Sequence, residues 1–242
     1  MRSKIRWLAV IVAVDAVLVM LILGMAAHAV RGRGAGPGND VKTGYSIQSG
    51  GESAEKYLAL TFDDGPNKKY TELLLDGLRE RSVKATFFLT GACIEGNEAV
   101  VKRMYEEGHL IGVHCMQHMD LTKMPMEKAL EQLEMTGKKI EEVTGVWPEY
   151  VRPPYGNWNE KLGQAVLEKL LMIPVFWDVD SLDWKLQNVG KIMKKVLTDV
   201  ENGDIVLLHD EFSSSVEAAL GIVDNLMAKG YTFVTVNELM VD

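Results

Sequence analysis

Tyr57-Leu58-Ala59-Leu60-Thr61-Phe62 runs straight into Asp63-Asp64-Gly65-Pro66. The first six residues form an apolar run that reads as a strand, and Gly65-Pro66 forces a turn directly after it. Neighbouring side chains at a strand end point in different directions, so the two carboxylates can take different tasks. Alone, the pair reads more readily as a solvated turn capping the following helix than as a catalytic pair.

Working outward, four more apolar runs end in chemically reactive residues. They lead into His114-Cys115-Met116-Gln117-His118, Arg152-Pro153-Pro154-Tyr155-Gly156, Asp180-Ser181-Leu182-Asp183-Trp184 and Leu207-Leu208-His209. Candidate strands are Tyr57–Phe62, Ala85–Leu89, Leu110–His114, Glu149–Arg152, Met172–Trp177, Ile205–His209 and Tyr231–Thr235. Amphipathic stretches separate most of them: Lys69–Arg81, Glu98–Glu107, Met126–Val143, Glu160–Lys169, Val189–Val200 and Val216–Lys229. Strand alternating with helix predicts an α/β fold with a parallel sheet, here a distorted (β/α) barrel of about seven strands. Asp63, Asp64, His114, Arg152 and His209 then all fall at C-terminal strand ends, the face on which such barrels build their sites.

The residue types suit one metal-assisted hydrolytic centre. His114 and His118 stand four apart, so a helical turn between them would put both imidazoles on one face and on one metal ion. With an aspartate they make a one-carboxylate, two-imidazole set that suits zinc, and also cobalt or nickel. Arg152 is permanently charged and can hold Asp63 in a fixed, ionised geometry, while Pro153 and Pro154 stiffen the turn that presents Tyr155. His209 closes an apolar strand, where a histidine is either a satisfied core residue or a proton donor. Asp178 and Asp180 are expected to fix their loop by hydrogen bonds, and His28 and His109 match no site.

With these five segments in this order, the chain resembles the polysaccharide deacetylases of carbohydrate esterase family 4, the NodB-homology group, from about Tyr57 to Leu239. The resemblance implies the same barrel and a metal-dependent hydrolase that removes N-acetyl groups from a glycan. It implies Asp64, His114 and His118 as metal ligands and Asp63 as general base. The Tyr155 N–H is then an oxyanion donor, His209 the general acid and Asp183 the partner that raises the His209 pKa. Trp184 with Leu207 would line a small slot for the acetyl methyl group. One position departs from the family pattern: Cys115 stands where Ser or Thr usually follows the first histidine, which bears on packing or on metal preference.

The rest of the chain bounds this reading. Of 242 residues, 26 are basic and 34 acidic, a net of −8, so a polyanion-binding surface is not expected and nucleic acid is excluded as a partner. Two cysteines do not make a disulfide scaffold. Arg2, Lys4 and Arg6 precede an apolar stretch from Trp7 to Ala29, long enough for a bilayer core of ~30 Å. Asp15 inside it costs about 2.5–3.5 kcal/mol at mid-membrane, against many Leu, Val and Ile gains. Residues 1–30 are therefore read as a single-pass anchor or as a secretion signal cut near Ala27-His28-Ala29. Residues 31–55, rich in Gly, Ser and Asn, read as a flexible linker, and residues 56–242 as the catalytic domain. The expected location is the cell membrane with that domain outside the cytoplasm, or secretion if the signal is cut. The expected substrate is peptidoglycan N-acetylglucosamine. Acetylated xylan, deacetylated at oxygen, and a catalytically weak glycan-binding role are the alternatives.

Overall fold

The structure, a computed structural model, describes residues 55–240. Its strands are β1 (Lys56–Asp63), β2 (Thr86–Thr90), β3 (Leu110–Cys115), β4 (Tyr150–Val151), β5 (Ile173–Pro174), β6 (Val179–Asp180), β7 (Ile205–His209) and β8 (Tyr231–Phe233). All pair in parallel, in the order β5-β4-β3-β2-β1-β7-β6, with β8 on the first three residues of β1. The helices are α1 (Tyr70–Glu80), α2 (Glu98–Glu106), α3 (Met126–Thr144), α4 (Glu160–Leu170), α5 (Val189–Asp199) and α6 (Ser213–Met227). Each falls where the sequence places an amphipathic stretch, within three residues at either end. Short helical turns at Gly91–Ile94, Asp183–Leu186 and Val236–Leu239 have no counterpart in the sequence reading.

Strand parity explains both the core and the site. Leu58, Leu60 and Phe62 of β1, Phe87 and Leu89 of β2, Val113 and Cys115 of β3, and Val206 and Leu208 of β7 belong to the apolar core under the helices. Each such side chain, when fully buried, contributes about 1.5–3 kcal/mol. The alternate positions face the other way, into the barrel: Thr61 and Asp63, Phe88, Gly112 and His114, Leu207 and His209. Both faces are buried, which is why the strands read as unbroken apolar runs. Gly112 is fixed by close approach, because a Cβ there would sit 2.6 Å from the Phe88 ring.

The sheet curls without closing through hydrogen bonds, since β5 and β6 are its two edges. The strand expected at Met172–Trp177 shortens to β5, and β6 is a strand the sequence does not announce. The chain has to leave one edge and join the other within four residues. Val175 N–H still bonds to Val151 O and Asp178 N–H already bonds to Ile205 O, both at 2.8 Å. The carbonyls stranded between them are taken up by Arg152, whose Nε and Nη2 donate to Val175 O at 3.3 Å and Phe176 O at 3.0 Å.

Among the described residues, no helix is long and apolar enough to cross a membrane. The expected anchor at 1–30 and all but Glu55 of the linker at 31–55 lie outside them.

Candidate active site

Asp64, His114 and His118 meet at the C-terminal end of the barrel, with one ligand atom from each all within 4.8 Å of one another. His114 Nδ1 lies 2.8 Å from Arg152 O. A carbonyl can only accept, so Nδ1 carries the hydrogen and Nε2 presents a lone pair. That Nε2 is 3.4 Å from Asp64 Oδ1, and His118 Nε2 is 3.5 Å from the same oxygen. Burial lowers the His114 pKa to about 3, keeping the ring neutral against the pull of Asp64. Asp64 Oδ1 is itself buried without a hydrogen-bond partner. A carboxylate oxygen without a hydrogen-bond partner, converging with two imidazole nitrogens, fits a cation, and these residues can hold one.

The histidine pair does not arise from a helix, as the four-residue spacing suggested. His114 lies in β3, the chain then bends, and His118 adopts a left-handed conformation with φ 47°. Asp64 (φ 72°) and Tyr155 (φ 62°) share that region, which costs non-glycine residues of order 1–3 kcal/mol each and gathers at functional sites. Nor do Asp63 and Asp64 cap α1. Asn67 does so, its Oδ1 accepting from the N–H of Lys69 and of Tyr70 at 3.0 Å.

Asp63 sits 2.9 Å from Arg152 Nη1, both fully inside. The same Nη1 donates to Thr61 Oγ1 at 2.6 Å, and Thr61 passes its own hydrogen to Val206 O at 2.7 Å. The guanidinium also lies 4.3 Å from the Phe88 ring centroid. Burial pushes the Asp63 carboxyl above its usual range, although Arg152 and His209 pull it down. Asp63 is therefore a carboxylate with one oxygen tied to Arg152 and a raised proton affinity, suited to accepting a proton.

His209 is held through Nδ1, 2.8 Å from Asp183 Oδ1. Asp183 is fully buried. It also accepts from the backbone N–H of His209 at 2.8 Å and of Trp184 at 2.9 Å. Burial alone would lower the His209 pKa. The bond to Asp183 and the charges of Asp183, Asp63 and Asp64 override it and raise the pKa to about 9. Nε2 is left facing the metal group, 3.9 Å from Asp64 Oδ2.

Residues 50–171 match the polysaccharide deacetylase family. The chain belongs to that family. It is 40% identical over 184 residues to the peptidoglycan-N-acetylglucosamine deacetylase PgdA of Listeria monocytogenes, covering 76% of this chain and 39% of that protein. A peptidoglycan-N-acetylglucosamine deacetylase of Bacillus cereus is 39% identical over 190 residues, covering 77% and 89% respectively. The solved structure of the peptidoglycan deacetylase PdaC from Bacillus subtilis superposes with a TM-score of 0.73 at 38% identity, covering 77% of this chain and 90% of that one. The chain thus spans well under half the length of PgdA.

The remaining expected residues of this polysaccharide deacetylase domain divide clearly. Tyr155 stands at the rim, 64% exposed, with its ring 4.6 Å from that of His118 and its hydroxyl 3.2 Å from His118 Nδ1. In the same turn, the N–H groups of Gly156 and Asn157 are used on Pro153 O and Pro154 O. Trp184, half exposed, follows Asp183 at the rim, and Leu207 is buried two residues below His209 on the inward face. Cys115 lies on the opposite parity from His114, buried, with Sγ 3.6 Å from Gln132 Oε1, so it packs and does not ligate. Asp178 and Asp180 fix their loop as expected, accepting from Ile205 N–H and Leu182 N–H. His109 is a core residue accepting from Ala85 N–H.

Sequence reasoning missed two supports. Thr61 has the inward parity of Asp63 and completes the Arg152 bonding, a signal available from period-two counting. Asp210, fully buried beside His209, bonds to Thr71 and lies against Gly65, where a Cβ would come 2.5 Å from its Oδ1. Only glycine lets the Asp63-Asp64 turn rest on that carboxyl, whose pKa burial raises to about 7. Asp210 follows His209 directly in sequence, but nothing there reveals that it faces away from the metal group.

Proposed function

We propose that this chain is a metal-dependent N-deacetylase of cell-wall glycan. It hydrolyses the acetamide of N-acetylglucosamine units, with peptidoglycan the leading substrate, to give acetate and a free amino sugar. One observation carries this reading: a carboxylate and an imidazole, each held from behind by a buried partner, border the same metal-binding group. Asp63 Oδ2 lies 4.0 Å from His114 Nδ1, and His209 Nε2 lies 3.9 Å from Asp64 Oδ2. The names of PgdA and the Bacillus cereus relative favour peptidoglycan over other acetylated glycans.

Asp64, His114 and His118 would hold a divalent ion, zinc first and cobalt or nickel next, which supplies Lewis acidity toward the acetamide carbonyl and acidifies water. Asp63 takes a proton from the attacking water through the oxygen that Arg152 leaves free. Arg152 keeps that carboxylate oriented and, being charged, favours its ionised form before attack. The Tyr155 peptide N–H donates to the oxygen that gains negative charge. His209 gives its Nε2 proton to the departing nitrogen while Asp183 holds Nδ1 and offsets the imidazolium charge. Trp184 and Leu207 line the acetyl side. Bond changes balance: water adds to the carbonyl carbon, the C–N bond breaks, and the amine leaves with the proton from His209.

The apolar stretch from Trp7 to Ala29 supports a membrane-anchored protein with this domain outside the cytoplasm. The deciding experiment is acetate release under metal titration on peptidoglycan, chitooligosaccharide and acetylated xylan. Release from the first two, dependent on the ion, is expected. Release from xylan alone would make the enzyme an O-acetyl esterase. Glycan binding without release on any substrate would leave a binding protein.

A further inference from the structure

The segment after β3 and the turn after β4 carry His118 and Tyr155, and they meet side by side without a strand ladder between them. They touch twice. His118 and Tyr155 form one contact, ring against ring at 4.6 Å. Two residues further along each segment is the other, Asn157 Nδ2 donating to Asp120 Oδ2 at 2.8 Å. Asp120 is fully engaged: Oδ2 also takes Lys123 Nζ at 2.9 Å, and Oδ1 takes the N–H and hydroxyl of Thr122 at 3.1 and 2.6 Å. Its carboxylate therefore belongs rigidly to the His118 side and offers a fixed acceptor to the Tyr155 side.

We infer that Asp120 and Asn157 form a brace that sets the spacing between the His118 imidazole and the Tyr155 peptide, and so act as positioning residues for the reaction. The need for a brace follows from the backbone. His118 and Tyr155 both occupy the left-handed region, which persists only when surrounding contacts impose it. Both side chains are also partly solvent-exposed, at 34% for His118 and 64% for Tyr155, so core packing cannot do this. The inference rests on the reading of Tyr155 N–H as oxyanion donor beside a metal held in part by His118. A purely structural role for Asp120, capping the turn Leu121–Lys123, does not involve Asn157 at all.

The test uses the full chain loaded with Co(II) and three variants: Asn157→Asp, Asp120→Asn and the exchanged pair carrying both. Asn157→Asp sets two carboxylates against each other, and the exchange restores an amide–carboxylate bond in reverse. kcat for acetate release, the Kd of sodium acetate read from the visible Co(II) spectrum, and Tm are measured for each. Expected are a kcat about 10- to 100-fold lower in Asn157→Asp, as for a small misplacement of a positioned group. Acetate binding should be weaker by about 10-fold, with Tm and Co(II) affinity near wild type. The exchanged pair should recover most of both losses. Wild-type kcat and acetate affinity in Asn157→Asp, or losses that the exchange does not relieve, overturn the brace. A wild-type protein that releases no acetate from any substrate defeats the functional reading instead, and the acetate titration still decides the brace. Absence of acetate binding by the wild-type protein overturns it.

Discussion

Replacing Asp183 by asparagine should change the pH dependence of turnover more than its maximum. In the structure the His209 pKa stands at about 9, held there against burial chiefly by the hydrogen bond to Asp183 and its charge. The sign follows from linkage: a histidine whose pKa is raised keeps its proton to higher pH, so an enzyme that needs the imidazolium stays active until pH passes that value. Without the carboxylate, burial is opposed by the charges of Asp63, Asp64 and the neighbouring Asp210 and Glu211, and the pKa falls toward the ordinary histidine value of ~6.5. At about pH 8 the protonated fraction then drops from ~0.9 to ~0.03, a loss of ~30-fold, whereas at about pH 6 the loss is only ~1.3-fold. A metal ion on Asp64 cancels part of the raising charge, so the wild-type basic limb should lie somewhat below 9, and the displacement in the variant is the quantity to read. The assay is kcat/KM for acetate release from about pH 5.5 to 9.5, with circular dichroism to verify folding. The carboxamide in Asp183→Asn has a single acceptor oxygen and cannot serve both backbone N–H groups that Asp183 now serves through its two, so a lower Tm is expected as well. An unchanged basic limb in a folded variant, or one factor of loss at every pH, would refute Asp183 as the tuning partner.

The division between base and ligands predicts that Asp63→Asn abolishes turnover with zinc content near wild type, whereas Asp64→Asn and His118→Ala lose zinc. Elemental analysis beside the acetate assay reads both, and equal zinc loss in all three defeats the assignment. Chelation should remove activity reversibly and leave the far-ultraviolet circular dichroism unchanged, because the core is apolar and built without the ion. Arg152→Met should cost roughly 3–5 kcal/mol and lower Tm by about 10 °C, since it leaves Asp63 uncompensated and two carbonyls unserved; a Tm shift under a few degrees would show that the buried ion pair is dispensable. Full-length protein should fractionate with membranes, its domain open to protease added outside intact cells. A native N-terminus at Val30, found by mass analysis, would instead establish signal cleavage.

The parts of this molecule that are legible in the sequence are those where one local rule suffices. An apolar run ending in Asp63-Asp64-Gly65-Pro66 fixes a strand and its end and places the candidate carboxylates there, and the runs ending at His114, Arg152 and His209 do the same for theirs. Parallel packing under helices makes those runs unbroken, so they stand out. Two-residue strands offer no period to read, which is why the sequence predicts one strand at Met172–Trp177 where the structure has the short β5 and, past a break, β6. That break is nonetheless the reason Arg152 can be buried. The stranded carbonyls of Val175 and Phe176, with Thr61 and Asp63, supply the acceptors a buried guanidinium needs. The gap in the barrel and the arginine that orients the proposed base are thus one feature. The sequence shows the arginine but not the gap that buries it, because Thr61, Arg152 and Phe176 are separated by dozens of residues. The left-handed backbone at Asp64, His118 and Tyr155 is hidden for a related reason. Local preference allows an aspartate or a histidine there only as a minority conformation and disfavours a tyrosine, so the conformation must be held by contacts such as those between Asp120 and Asn157 that form only after the strands have brought their ends together.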